Sequence, residues 1–219
     1  MAQYQSGRRT KKNIYYASEK LFYEKGYENT TITNITDYAN ANRGSFYHHY
    51  ENKMQLGVQV YSNFAYRNSR ITSLFGNTID RGIGVCLSVK TFWYLFFHDE
   101  NIRRFSIDLS NENILQIKED PFIYNACLQL TKKKFTAKQM KFISITNIGL
   151  SRQLNIDAYT HTDEYDYNDV SDYYMSTMFR LFDIRQDTIK HILLKSKELF
   201  LRCDVTNEGF YITCRLKNL

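Results

Sequence analysis

A single proline, Pro121, and nine glycines are all the strong backbone punctuation in 219 residues. A chain of many short strands needs tight reversals with Gly, Asn-Gly or Asp-Gly at positive φ, so an all-β sandwich or barrel is disfavoured by supply alone. The length suits one or two domains, and 43% apolar residues suffice for a buried core. Disordered chains are poor in aromatics, whereas this one holds 18 Tyr and 15 Phe. The expectation is a soluble, mostly helical protein with an aromatic-rich interior.

What is missing narrows the chemistry. Residues 1–13 carry Arg8, Arg9, Lys11 and Lys12 with no apolar run behind them, so no signal peptide is read there. The densest apolar window, Thr91 to Phe97, stops at His98-Asp99-Glu100, which is too short to span a membrane. Cys86, Cys127, Cys203 and Cys214 form no CxxC pair and read as reduced, buried thiols of a cytoplasmic protein. No Gly-rich phosphate loop, GxSxG or HExxH occurs, and neither an enzyme nor a cofactor is expected. His98-Asp99-Glu100 would point in different directions on a helix, and His161 with Asp157 and Asp163 is only a faint metal candidate.

Charge is unevenly placed. Residues 1–56 hold eight Lys and Arg against five acids, half of the net +6, while Asp157 to Asp172 holds six acids and no Lys or Arg. An anionic partner would therefore meet the N-terminal end.

That end reads as a series of capped helices. From Thr10 to Lys25, Ile14, Ala17, Leu21 and Phe22 form one apolar stripe, and Gly26 is placed to end the helix in the left-handed region. Thr30 or Thr31 can cap a second helix reaching about Ala39. Asn40-Ala41-Asn42 makes a tight connection, and Asn42 can cap a third helix from Arg43 to about His49. After Tyr50-Glu51-Asn52, a long fourth helix is expected from Lys53 through about Thr72. Three short helices with a three-residue turn spell a helix-turn-helix. The third, Arg43-Gly44-Ser45-Phe46-Tyr47-His48-His49, has little apolar periodicity and suits contact with phosphates and base edges. Lys53 opposes the positive end of its helix dipole, a cost that a docked phosphate would reverse.

The ordered set from Ile14, Ala17, Leu21-Phe22 and Gly26-Tyr27 through Thr30-Thr31, Ile35 and Ala39 to Gly44, Tyr47, Lys53 and Leu56 resembles the DNA-binding domain of TetR-type bacterial transcriptional regulators. The resemblance covers about 45 residues, roughly a fifth of the chain. It implies that Thr31 holds a phosphate, that Arg43, Ser45 and Phe46 face bases in the major groove, and that Tyr47, His48 or His49, and Lys53 meet the DNA backbone. Asn42 stands where the cap is commonly Ser, Asn40 where the turn residue is usually Gly, and Thr36 where a small Ala is usual. The Thr36 hydroxyl can bond back to the Ile32 carbonyl. The resemblance also implies a homodimer paired through its last two helices. One short recognition helix is marginal for specificity, and a two-fold dimer on a palindromic operator doubles its contacts.

The domains are therefore expected at 1–52, a helix-turn-helix DNA-binding domain with a basic arm, and 53–219, a larger helical domain for effector binding and dimerisation. In the second, Gly82 to Phe97 is apolar nearly all round, with Val85, Val89, Phe92, Trp93 and Phe96 on one face. Glu119-Asp120-Pro121 opens a helix through Lys134, and another runs from Thr136 to about Asn155. Asp157 to Asn168 is the best loop candidate. The helices at about 169–182 and 186–202 are the expected dimer interface, with Met175, Met178, Phe179 and Phe182 on one face of the first and Ile189, Ile192, Leu193, Leu199 and Phe200 on one face of the second. Val205 to Leu219 alternates like a strand, either extended along the body or pairing with its copy across a dimer.

Taken together, the sequence is expected to encode a ligand-responsive regulator, most simply a repressor. Trp93, Phe97 and Tyr124 are the candidate walls of a pocket for an apolar or aromatic effector. The alternative is a TetR-like module that uses the same helices to bind a protein partner.

Overall fold

Ten α-helices, a 3₁₀ segment and one β-hairpin make up the described residues, 2–112, 114 and 121–217, of the computed structural model. Helix α1 (Ala2–Lys25) begins well before Thr10, because nothing in residues 2–9 breaks it: Gln and Arg are good helix formers and no proline intervenes. It ends where Gly26 takes φ +87° and donates its N–H to the Phe22 carbonyl at 3.1 Å. Helices α2 (Ile32–Tyr38), α3 (Arg43–His49) and α4 (Lys53–Asn68) follow. The expected long fourth helix stops as an α-helix at Asn68 and tightens into 3₁₀ geometry over Ser69–Thr78. Serine and threonine cause the change: the Ser69, Thr72 and Ser73 hydroxyls each bond the carbonyl three residues back at 2.7 Å, competing with the α-helical ladder.

Helix α5 (Arg81–His98), capped by Asp80, is the axis of the body and is buried on nearly every side, as its all-round apolar pattern demands. It is followed at once by α6 (Glu100–Asn111), which the sequence reading did not place. The signal is Asp99, whose Oδ1 accepts from the N–H groups of Asn101 and Ile102 at 2.9 and 3.0 Å. The Asp99-Glu100 pair is thus a helix start rather than a titratable cluster. Helix α7 (Pro121–Leu130) stops short of Lys134, and Glu119 and Asp120 lie outside the described residues. Helix α8 (Ala137–Thr160) runs past Asn155, so the expected loop shrinks to residues 161–166. Asp166 Oδ1 caps α9 (Tyr167–Leu181) at Asn168 and Asp169; the acids there serve a helix N-terminus. Helix α10 is Gln186–Leu201.

Two expectations are corrected. The apolar faces of α9 and α10 are buried inside the chain: Met175, Met178, Phe179, Phe182, Ile189, Ile192, Leu199 and Phe200 all belong to the core, packed against α5. Any pairing of copies through these helices must use their other sides. The C-terminal segment is neither a lone extended strand nor one that needs a second copy, because it pairs with itself. Strands β1 (Cys203–Glu208) and β2 (Tyr211–Leu216) are antiparallel, with Val205 opposite Cys214. Gly209, at φ +61°, sits at the first central position of the two-residue turn, where a II′ hairpin takes glycine.

The hairpin turn wedges between the N-terminal helices and the body. The Phe210 ring is buried against Tyr23 of α1, Phe64 of α4 and Phe105 of α6, at centroid distances of 5.5, 5.4 and 4.7 Å. Beside it, Asp99 Oδ2 accepts from the Tyr23 hydroxyl at 2.7 Å and from Asn207 Nδ2 at 2.6 Å. Arg104 of α6 donates to the Tyr23 and Glu24 carbonyls at 2.9 Å, capping α1 with a cation where its dipole is negative.

A second tie lies within the body. The fully buried Lys90 of α5 pairs with Asp172 of α9 and donates to Ser171 Oγ at 3.1 Å. Removing one partner of a buried pair usually costs about 3–5 kcal/mol, but Asp172 keeps about a third of its side chain in water. Lys90→Met is therefore expected to lower stability by about 2 kcal/mol in urea unfolding, and an unchanged midpoint would show that the pair contributes nothing net.

Candidate nucleic-acid interface and internal cavity

Local chemistry sets the helix-turn-helix. Thr31 caps α2 in a reciprocal box: its Oγ1 accepts from the Asn34 N–H at 3.1 Å, while Asn34 Oδ1 accepts from the Thr31 N–H at 3.0 Å. Thr36 bonds back to the Ile32 and Thr33 carbonyls at 3.1 and 3.0 Å. Asn40 takes φ +50°, the left-handed conformation that the usual glycine would supply. Asn42 Oδ1 then accepts from the Ser45 N–H at 2.7 Å and starts α3. Thr31 and Asn42 are both exposed, but their oxygens are engaged as caps.

Helix α3 divides sharply. Arg43, Tyr47 and His48 are exposed, with Tyr47 at 54% of its full surface, and Ser45 and His49 are half-buried. Phe46 is corrected: at 0% exposure it cannot face bases. Its ring packs against Tyr47 and Tyr50 at 5.3 and 5.9 Å, so it is the anchor that turns its neighbours outward. Tyr50 fastens α3 to α1 by donating its hydroxyl to the Lys11 carbonyl at 3.3 Å, and a Cβ on Gly7 would lie 4.0 Å from His49 Cε1. The N-terminal turns of α1 thus lie beside the end of α3, with Lys11 Nζ 5.6 Å from the centre of the Tyr50 ring. Partial burial, with help from His48 and Lys11, holds the His49 pKa below its usual value.

Lys53 differs from the sequence reading. Its ammonium donates to the Tyr27 carbonyl at 2.9 Å and lies 4.2 Å from the centre of the Tyr27 ring. Desolvation lowers its pKa, opposed by Glu112, Asp108 and Glu28. The cation at the α4 N-terminus is thus compensated inside the chain, and no docked anion is needed to account for it.

In the body, α4, α5, α7, α8 and α9 surround a cavity of about 420 Å³. Trp93 and Tyr124 line it; Phe97 does not, and packs instead against Trp93 and Phe96 at 6.4 and 5.6 Å. Sequence reasoning missed most of the lining, notably Asn68, Ser88 and Asn147, because isolated polar residues on helices carry no periodic signal. Asn147 Oδ1 accepts from the Tyr174 hydroxyl at 2.7 Å. Among the described residues, no group of three or more His, Cys, Asp or Glu side chains is placed to hold a metal, and no helix is long and apolar enough to cross a membrane.

Helix α4 is shared between cavity and interface. Tyr61, Ala65 and Asn68 line the cavity, while Asn63 donates to the Tyr15 hydroxyl at 2.7 Å and Arg67 pairs with the buried Glu19 of α1. Burial pushes the Tyr15 phenol up to about 12.

Residues 14–60 match the family model of bacterial regulatory proteins of the tetR family. Over 56 residues the chain is 38% identical to an HTH-type transcriptional regulator in the lacX 3′ region of Lactococcus lactis subsp. lactis, a match spanning 26% of this chain and 29% of that protein's length. Among solved structures, RolR in complex with resorcinol is 16% identical, with a TM-score of 0.60 over 86% of this chain and 95% of its own. TylP, a tetR regulator from Streptomyces fradiae, is 14% identical, with a TM-score of 0.46 over 90% of this chain and 93% of its own. The RolR likeness is one of fold and extends the agreement from the matched N-terminal segment through the helical body. Residues 14–60 therefore carry a helix-turn-helix that matches the tetR family of bacterial regulatory proteins, set on a helical body folded as in RolR.

Proposed function

We propose that the chain is a transcriptional regulator that reads operator DNA with α3 and adjusts that binding to a small molecule held in its body. The observation that carries this reading is the double role of α4, one helix serving as both cavity wall and fastening for α1. A molecule that favours one placement of α4 shifts the placement of α3 by the same free energy, which is the content of linkage. The ligand of RolR, resorcinol, supports a small aromatic effector here, and the cavity volume falls within the roughly 300–1,000 Å³ typical of such sites.

Two copies make the reading specific, since three or four side chains on one short helix are marginal against the roughly 4–10 kcal/mol that separates specific from non-specific binding. We assign the contact to α9 and α10 through Tyr173, Leu194 and Leu201, which expose 56%, 71% and 57% of their surface. The operator is then a palindrome, and repression follows from its occupation within a promoter, in the cytoplasm. Thr31, Arg43, Ser45, Tyr47, His48 and His49 remain the proposed DNA-facing set, with Asn42 shaping it, Phe46 behind it and Lys53 acting through Tyr27.

Selection of genomic fragments on the purified chain tests the reading. An enriched palindrome bound with steep salt dependence is expected, and loss of all enrichment would overturn it. On that fragment, Arg43→Ala and Tyr47→Ala are expected to weaken binding by about tenfold or more each, with melting temperature unchanged, as fluorescence anisotropy and calorimetry would show.

A further inference from the structure

Among the described residues, no Asp, Glu, Lys, Arg or His lines the cavity; its polar groups are Ser, Asn and Tyr. A charged ligand would bring an ion out of water with no counter-ion to meet it, whereas Phe92, Trp93 and Ile123 offer apolar surface for a flat ring.

The hydrogen-bond directions narrow the class further. The Ser62, Ser69 and Ser88 hydroxyls donate back to the carbonyls of Val58, Tyr66 and Gly84 at 2.8, 2.7 and 3.0 Å. Their protons are therefore spent within their own helices, and what they hold toward a guest is lone pairs. Asn68, 2% exposed and in the cavity wall, has an Oδ1 with no hydrogen-bond partner among the described residues. A buried acceptor left unmatched is costly, and a guest that donates a proton removes that cost.

We infer that the cavity binds an uncharged aromatic molecule that carries a hydrogen-bond donor, a hydroxyl or a ring N–H, and that Asn68 is its acceptor. This deepens the sensing role proposed above and rests on it. A molecule with the same ring but only acceptor atoms leaves Asn68 unmatched, and an anionic analogue meets no cation among the described residues of the wall.

Three probes with one ring system separate these terms: β-naphthol, its methyl ether and β-naphthoate, titrated into the full chain by calorimetry without DNA. β-Naphthol is expected to bind saturably, about tenfold tighter than the methyl ether, and about 100-fold tighter than β-naphthoate. Asn68→Leu is expected to bring β-naphthol and its ether within about threefold of each other. Ala65→Trp fills the space from α4 and is expected to abolish the β-naphthol heat while the chain still melts cooperatively, which keeps the test decisive should the Asn68 variant misfold. Equal binding of β-naphthoate or of the ether, no saturable heat with β-naphthol, or unchanged binding in the Ala65 variant would each overturn the inference. Because these heats are read without DNA, their failure is distinct from failure of the fragment selection, which decides the regulatory reading.

Discussion

Replacing Phe210 by alanine is expected to lower the stability of the chain by about 3–5 kcal/mol, the cost typical of deleting a fully buried ring. The size follows from where the ring sits. Phe210 is 1% exposed and touches three helices at once: Tyr23 on α1, Phe64 on α4 and Phe105 on α6. Arg104 and Asp99 tie α6 to α1, and Arg67 with Glu19 ties α4 to α1, so the three helices are poorly able to collapse into the void. Tyr211 is the control. It is 49% exposed, with the Arg67 guanidinium 4.0 Å from its ring and its hydroxyl bonded to Glu19, so Tyr211→Ala should cost about 1 kcal/mol, well below the loss at Phe210. Urea unfolding of the two variants checks the contrast, and hydrogen exchange should show the α1 amides near Tyr23 opening faster only in the Phe210 variant. A loss below about 1 kcal/mol for Phe210→Ala would mean that the hairpin is an ornament of the fold.

Arg67→Leu is the second large effect, expected at about 3–5 kcal/mol because it strands a buried carboxylate. Glu19 is 4% exposed and is met by the Arg67 guanidinium, by the Tyr15 hydroxyl at 3.0 Å and by the Tyr211 hydroxyl. Deleting the guanidinium leaves only the uncharged phenols of Tyr15 and Tyr211 to solvate the charge. It also removes the 3.2 Å bond to the Phe210 carbonyl, so the wedge loosens with it. The diagnostic measurement is a double-mutant cycle. Glu19→Leu with Arg67→Leu removes both charges and should recover most of the stability, since an apolar pair of similar volume often replaces a buried ion pair at little cost. Strictly additive losses would show that the two side chains do not act as a pair.

Much of the N-terminal domain is legible in the sequence because its instructions are local. Gly26, Thr31, Asn40 and Asn42 each act within three or four residues of themselves, so cap and turn chemistry placed α2 and α3 nearly where the structure has them. Phe46 was not legible. On a seven-residue helix there is no room for a period to declare its buried side, and only the contact with Tyr50 decides it. Lys53 failed for a related reason: its partner, the Tyr27 carbonyl, is 26 residues away. In the body, the apolar stripes of α9 and α10 showed that both helices are buried on one side but not whose atoms bury them, which is why an internal core read as a dimer face. The hairpin announced its alternation, but with Gly209 as its sole turn signal its pairing and its docking on α1 were unreadable. The cavity wall is the least legible part, since α4, α5, α7, α8 and α9 meet there only in three dimensions.

The wedge also has a consequence for the order of events during synthesis. The ribosome completes Tyr23 roughly 190 residues before Phe210, which at about 5–20 residues per second is an interval of about 10–40 s. Throughout that interval α1, α2 and α3 hold every local signal they need to form, while the ring that seats α1 against α4 and α6 has yet to emerge. A nascent chain should thus display its α3 surface before the link from cavity to α1 is finished, and ribosome-arrested chains ending before and after Phe210 would differ in the protease resistance of α1.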